Sequence, residues 1–141
     1  MGTRSRVGVM HGDKCKSIYI HWDGYLSGVG AILAKHYDSA KANHLVALGD
    51  VSSLDKNVEI PEGQTHSFQV PLDGVTTFYG RDRGETDYEF AVDHTFEQFM
   101  ERVADCGAEY YYIMRDGVWY CGDRGQLVEL SESLMWDALQ A

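Results

Sequence analysis

Two His-x-Asp triplets are the first residues whose types and spacing could do chemistry. They are His21-Trp22-Asp23 and His36-Tyr37-Asp38, with His44 six residues beyond the second. Imidazole and carboxylate together ligate Zn, Mn or Fe. Residues two apart in a strand share a face, so His21 and Asp23 could act jointly. A plainer reading competes. His36 falls at a helix end, where it complements the dipole. Asp38 is placed to cap the helix that follows, and Asp23-Gly24 reads as a turn.

The three cysteines, Cys15, Cys106 and Cys121, are too widely spaced for a zinc motif or a disulfide framework. Cys106 ends a helical pattern, where the dipole disfavours a thiolate. No Gly-x-Ser-x-Gly elbow and no phosphate-cradling loop occurs, and Gly28-Val29-Gly30 is a lone Gly-x-Gly inside a helical pattern. Gly80-Arg81-Asp82-Arg83-Gly84-Glu85 sets two arginines beside glycine backbone, an arrangement that can hold an anion. Its neighbours Glu85, Asp87 and Glu89 work against that, and a solvated, self-paired turn is the simpler expectation. The aromatics Tyr110-Tyr111-Tyr112, Trp119 and Tyr120 could anchor a partner, although core packing explains most such residues.

Charge is the strongest compositional signal. The chain of 141 residues has 12 Lys+Arg against 22 Asp+Glu, a formal net charge of −10. Residues 1–60 hold seven basic and six acidic side chains, whereas residues 61–141 hold five basic and sixteen acidic. Binding to a nucleic-acid duplex through counterion release needs a basic patch, which the second part cannot supply. Glu97, Glu101 and Asp105 recur at helical spacing and form one stripe. Asp82, Glu85, Asp87, Glu89 and Asp93 precede it. Such a surface either solvates the fold or steers a basic partner.

These residues need elements to hold them. Residues 6–22 read as a β-hairpin turning at His11-Gly12-Asp13-Lys14, with Ile18 and Ile20 facing the core. Tyr25 to Tyr37 follows helical spacing. Gly28 and Gly30 weaken that helix by about 1 kcal/mol each and admit close approach of another backbone. A second helix runs from Ala40 to Leu48, and residues 50–74 read as irregular. Val75–Tyr79 and Tyr88–Val92 read as strands. Thr95 to Cys106 is a capped amphipathic helix with Phe96, Phe99, Met100 and Val103 inward. Asp116-Gly117 marks a hairpin. A last helix begins at Ser131, with Leu130 and Met135 as a hydrophobic staple. The expected fold is a single α+β domain over 1–141. It has an antiparallel sheet of hairpins and three or four helices on one face. No targeting segment, lipidation motif or membrane span is expected.

Four segments together resemble a family of small phage and prophage proteins. They are Ser17–Tyr25, Gly30–Tyr37, Leu45–Leu54 and Ala108–Tyr120, with His21-Trp-Asp-Gly-Tyr25 the most distinctive part. The resemblance implies a mobile-element origin and an intracellular setting, and no reaction. By analogy with small acidic phage proteins, it points to an inhibitor of a host system.

The leading expectation is therefore a non-enzymatic, cytoplasmic protein with no cofactor and no metal. It would inhibit a host nucleic-acid-handling defence protein, of anti-CRISPR or anti-restriction type, as a DNA mimic. Asp82, Glu85, Asp87, Glu89, Asp93, Glu97, Glu101 and Asp105 would carry the binding to a basic surface, without direct contact with nucleic acid. The alternative is a small-molecule site: a metal centre on His21, Asp23, His36 and Asp38, or a pocket for a signalling nucleotide. Homo-oligomer contacts form a third expectation.

Overall fold

The structure, a computed structural model, describes residues 2–123 and 125–140. Met1, the start of the segment read for targeting signals, lies outside the described residues. β1 (Ser5–His11) and β2 (Lys14–Ile20) form the expected hairpin. The π-helical turn Leu26–Gly30 and α1 (Ala31–His36) follow it. Then come α2 (Ser39–Ala47), β3 (Val51–Ser53), β4 (Thr77–Phe78) and α3 (Tyr79–Arg83). The chain continues through β5 (Ala91–Asp93), α4 (Phe96–Asp105), β6 (Tyr110–Arg115) and β7 (Val118–Asp123). β8 (Gln126–Glu129) leads directly into α5 (Leu130–Gln140).

The fold is α+β, with an eight-stranded sheet ordered β4-β3-β2-β1-β6-β7-β8 and β5 on the outer side of β2. The sheet is mixed. Its hairpins are antiparallel, but β1 pairs parallel with β6 and β2 pairs parallel with β3. β3 and β5 share one edge of β2: Ile20 pairs with Val51, and Cys15–Ser17 pair with β5.

The expected placement of all helices on one face is corrected. Val7, Ile18, Tyr112 and Met114 point to the face covered by α1, α2 and α5, where Leu33, Leu45 and Leu130 complete the larger core. Alternate residues Cys15 and Ile113 point the other way and meet Phe99 and Val103 of α4. Both alternations of β2 and β6 are apolar enough to bury, so each face takes its own cover.

Local chemistry explains most boundaries. The Asp38 carboxylate accepts the Lys41 N–H at 2.9 Å and starts α2. Thr95 Oγ1 accepts the Gln98 N–H at 3.1 Å, and Gln98 Oε1 accepts the His94 N–H at 2.8 Å. Asp116 and Gly117 adopt φ of 52° and 79°, the left-handed pair that a tight hairpin requires.

Three details differ from expectation. The charged turn at Gly80–Glu85 is mostly the single helical turn α3. The last helix starts at Leu130 rather than Ser131. Met135 is exposed, so no staple with buried Leu130 forms. Gly28 has the close contact that its spacing implies. A Cβ there would lie 2.2 Å from the Asp23 carbonyl oxygen, which accepts the Val29 N–H at 2.8 Å. No helix among the described residues is long and apolar enough to cross a membrane.

Candidate docking face and its cleft

The His-Trp-Asp-Gly-Tyr segment is an architectural corner. His21 and Trp22 donate backbone N–H groups to Val51 and Ser52, extending the β2–β3 contact at 3.1 Å each. Asp23 then takes a left-handed φ of 57° and reverses the chain. The Gly24 N–H donates to Thr3 at 2.8 Å, and the Gly24 carbonyl accepts the buried Tyr112 hydroxyl at 2.7 Å. His21 Nδ1 lies 2.8 Å from the Tyr19 hydroxyl, and the Asp23 carboxylate accepts from Tyr25 at 3.3 Å.

The four side chains of the metal alternative, His21, Asp23, His36 and Asp38, are engaged in local structure. Asp38 is occupied as a helix cap, and His36 ends α1. Among the described residues, no group of three or more His, Cys, Asp or Glu side chains is arranged to hold a metal ion.

The arginines of the Gly80–Glu85 segment are engaged internally. Arg81 donates to the carbonyls of Val58 and Thr76 at 2.6 and 2.9 Å and grips Asp82 with Nε at 2.9 Å. Arg83 pairs with Glu85 at 2.7 Å and lies over the Phe68 and Tyr79 rings. Beneath them is a residue that the sequence did not single out. His66 Nδ1 accepts the Leu72 N–H at 2.8 Å, which leaves Nε2 to face Thr77 Oγ1 at 3.1 Å and Asp82 at 3.5 Å. No motif surrounds His66, so only its burial reveals it.

The eight predicted carboxylates divide in two. Asp82 has 1 % of its side chain exposed and accepts the Phe78 N–H at 2.8 Å. Asp93 is buried and holds Arg102 through two bonds near 3 Å. Glu85 is bound to Arg83. These three serve the fold. Asp87, Glu89, Glu97, Glu101 and Asp105 are exposed, and none of them forms an ion pair among the described residues. α4 positions the last three. Its Phe99 and Val103 are buried against the sheet, which turns Glu97, Glu101 and Asp105 outward.

The aromatic candidates lie mostly in the core, as packing would have it. Tyr112 is buried, and Trp119 donates its indole N–H to the Tyr37 carbonyl at 2.8 Å. Tyr111 faces opposite to both neighbours and meets Phe99 edge-on at 6.0 Å.

A cleft of about 500 Å³ runs beside α4, with Glu101, Asp105 and Gln98 on the helix side and Val92 and Asp93 on the strand side. Arg6 and Cys106 also line it. The thiols therefore differ. Burial, reinforced by nearby Asp93, pushes Cys15 up to about 12, while Cys106 is half-buried on the cleft. At pH 8 Cys15 is therefore held as the unreactive thiol. Iodoacetamide on the native protein is expected to label Cys106 and to spare Cys15 until the chain unfolds, as read by peptide mass spectrometry. Equal native labelling of both would contradict this arrangement.

No protein-family model, curated protein or solved structure matches the chain.

Proposed function

We propose that this chain is an acidic binding protein of phage type. It acts in the host cytoplasm and inhibits a host defence protein by occupying its basic, nucleic-acid-handling surface. The observation that supports this most is the outer face of α4. Glu97, Glu101 and Asp105 stand there exposed, and none of them forms an ion pair among the described residues. Like charges four apart cost a helix about 0.2–0.5 kcal/mol per pair. A stripe kept against that cost suits a basic partner, whose approach it would steer. Asp87 and Glu89 extend the field, while Asp82, Glu85 and Asp93 are left out of it.

The test is a pull-down from host lysate at low and high salt, followed by binding measurements on the captured protein. Reversing two charges together, Glu97→Lys with Glu101→Lys, is expected to weaken binding by tenfold or more, about 1.4 kcal/mol. Both positions are exposed, so the variant keeps its fold. Binding that ignores salt, or that survives the double reversal, would sink the reading.

A second reading is self-association. Met135, Trp136 and Leu139 of α5 are 57, 61 and 71 % exposed, an apolar face at helical spacing. Light scattering separates the two: a monomer that captures a partner favours the first.

A further inference from the structure

The sheet ends at β8 on an unguarded edge. Among the described residues, β4, β5 and β8 have one strand partner each. β4 and β5 are two and three residues long, and so short an edge offers little to pair with. β8 has four residues, Gln126–Glu129, in unbroken register with β7. It contains no lysine, no proline and no bulge, the usual guards of an edge. Gln126 pairs with Asp123 to close the hairpin, so it and Val128 direct their backbone groups to β7. The N–H groups of Leu127 and Glu129 point outward.

α5 follows β8 without a linker. Leu130 and Leu134 hold it to the larger core, with the π-helical turn, α1, β7 and β8 as its neighbours. No described strand stands beyond β8, so the flank of α5 above that edge is uncovered. Every residue from Met135 to Gln140 is exposed. Trp136, Asp137 and Gln140 border a groove against Leu26 and Tyr110. Met135 and Leu139, one turn apart, lie off that groove.

One kind of occupant answers both features. An extended peptide would pair with β8 and leave α5 bare, and a helix would cover α5 and leave the edge open. A second copy related by a two-fold axis supplies a strand and a helix together. With the axis at Leu127, Gln126 stands against Val128 of the second copy and Glu129 against its Gly125. No carboxylate then directly opposes another, and each Leu127 exchanges its N–H and C=O with its own copy.

We infer that the chain forms a two-fold dimer by antiparallel pairing of β8 with β8 of a second copy. The Met135 and Leu139 faces of the two α5 helices meet above the junction. This rests on the self-association reading and names its surface. Both α5 helices lie on one face of the joined sheet and both α4 stripes on the other. The dimer therefore leaves the docking face free and presents it twice.

Light scattering of the full chain across protein concentration, at low and high salt, is expected to show a monomer passing to a dimer. Salt should tighten the dimer, because each chain has a net charge of −10 and screening relieves the repulsion. Hydrogen exchange locates the junction. Raising the protein concentration through the transition should slow the Leu127 and Glu129 amides tenfold or more. Gln126 and Val128, already bonded to β7, should change far less. Glu129→Pro removes an outward N–H at an exposed position, a change that an edge strand tolerates. It should weaken the dimer tenfold or more, and Glu129→Gln should not. Met135→Ser with Leu139→Ser, both exposed, should weaken it as well. A monomer at every concentration and salt overturns the self-association reading and this inference together. A dimer whose Leu127 and Glu129 amides stay unprotected, or one indifferent to either substitution, overturns this inference alone. Should Glu129→Pro fail to fold, exchange on the unaltered chain decides.

Discussion

Replacing Tyr112 by alanine is expected to lower the stability of the fold by about 4 kcal/mol, the middle of the range for removing a buried aromatic ring. Tyr112 is fully buried at the centre of the larger core. Its ring packs on Gly30, where a Cβ would lie 3.2 Å away, and its hydroxyl donates to the Gly24 carbonyl at 2.7 Å. One side chain thus supports the sheet, the π-helical turn and the corner at Asp23. Tyr112→Phe divides the effect. It keeps the ring and leaves a buried carbonyl without its donor, which costs about 1–3 kcal/mol. Denaturant midpoints at constant slope measure both. A phenylalanine variant as unstable as the alanine variant would mean that the hydroxyl, not the ring, carries the load. A wild-type midpoint in both would refute the packing argument.

The second large effect is expected at Asp82. Asp82→Ala should cost about 3 kcal/mol, within the range for breaking a buried ion pair from one side. The Phe78 N–H loses its acceptor, and Arg81, with 23 % of its side chain exposed, loses the carboxylate that aligns it. Arg81 also ties down the carbonyls of Val58 and Thr76, and His66 ties down the Leu72 N–H. The loss should therefore spread into residues 54–74 before the sheet is affected. Hydrogen exchange at the Leu72 and Phe78 amides reads this directly, and limited proteolysis within the same segment gives a second readout. Unchanged exchange at both amides would show that the segment is held by something else.

Elements defined by their own neighbours could be read from the sequence. α4 carries its cap, its apolar stripe and its stop within a dozen residues. The Asp116-Gly117 turn fixes the β6–β7 hairpin by backbone conformation alone. The parallel pairings could not be read. A period of two states that β1 and β6 are strands, and it is silent on whether they meet. The second helical layer was missed for a related reason: Cys15 and Ile113 look like the incidental half of an alternation until α4 covers them.

The candidate site was half legible. The carboxylates were found by charge, but charge does not state which ones acquire a counter-ion. Asp93 and Glu101 look alike in sequence, and only the fold sets Arg102 against the first. Arg6 and His66 were not found. Arg6 had one signal, a cation at the head of the apolar run Val7-Gly8-Val9-Met10. His66 had none beyond its position between two prolines.

The parallel contact between β1 and β6 also governs how the molecule is made. Ser5 stands opposite Tyr110, so the two strands at the middle of the sheet meet only after the whole intervening chain has been synthesised. The entropy of closing so long a loop is lost before the pairing returns anything, which slows folding relative to a sheet of hairpins. While the chain emerges from the ribosome, one edge of β1 waits without its neighbour and is open to pairing with other chains. Pairing at the middle of the sheet thus waits until β6 has been synthesised. A cell making the protein rapidly therefore holds a pool of β1 edges open to other strands in the place of β6.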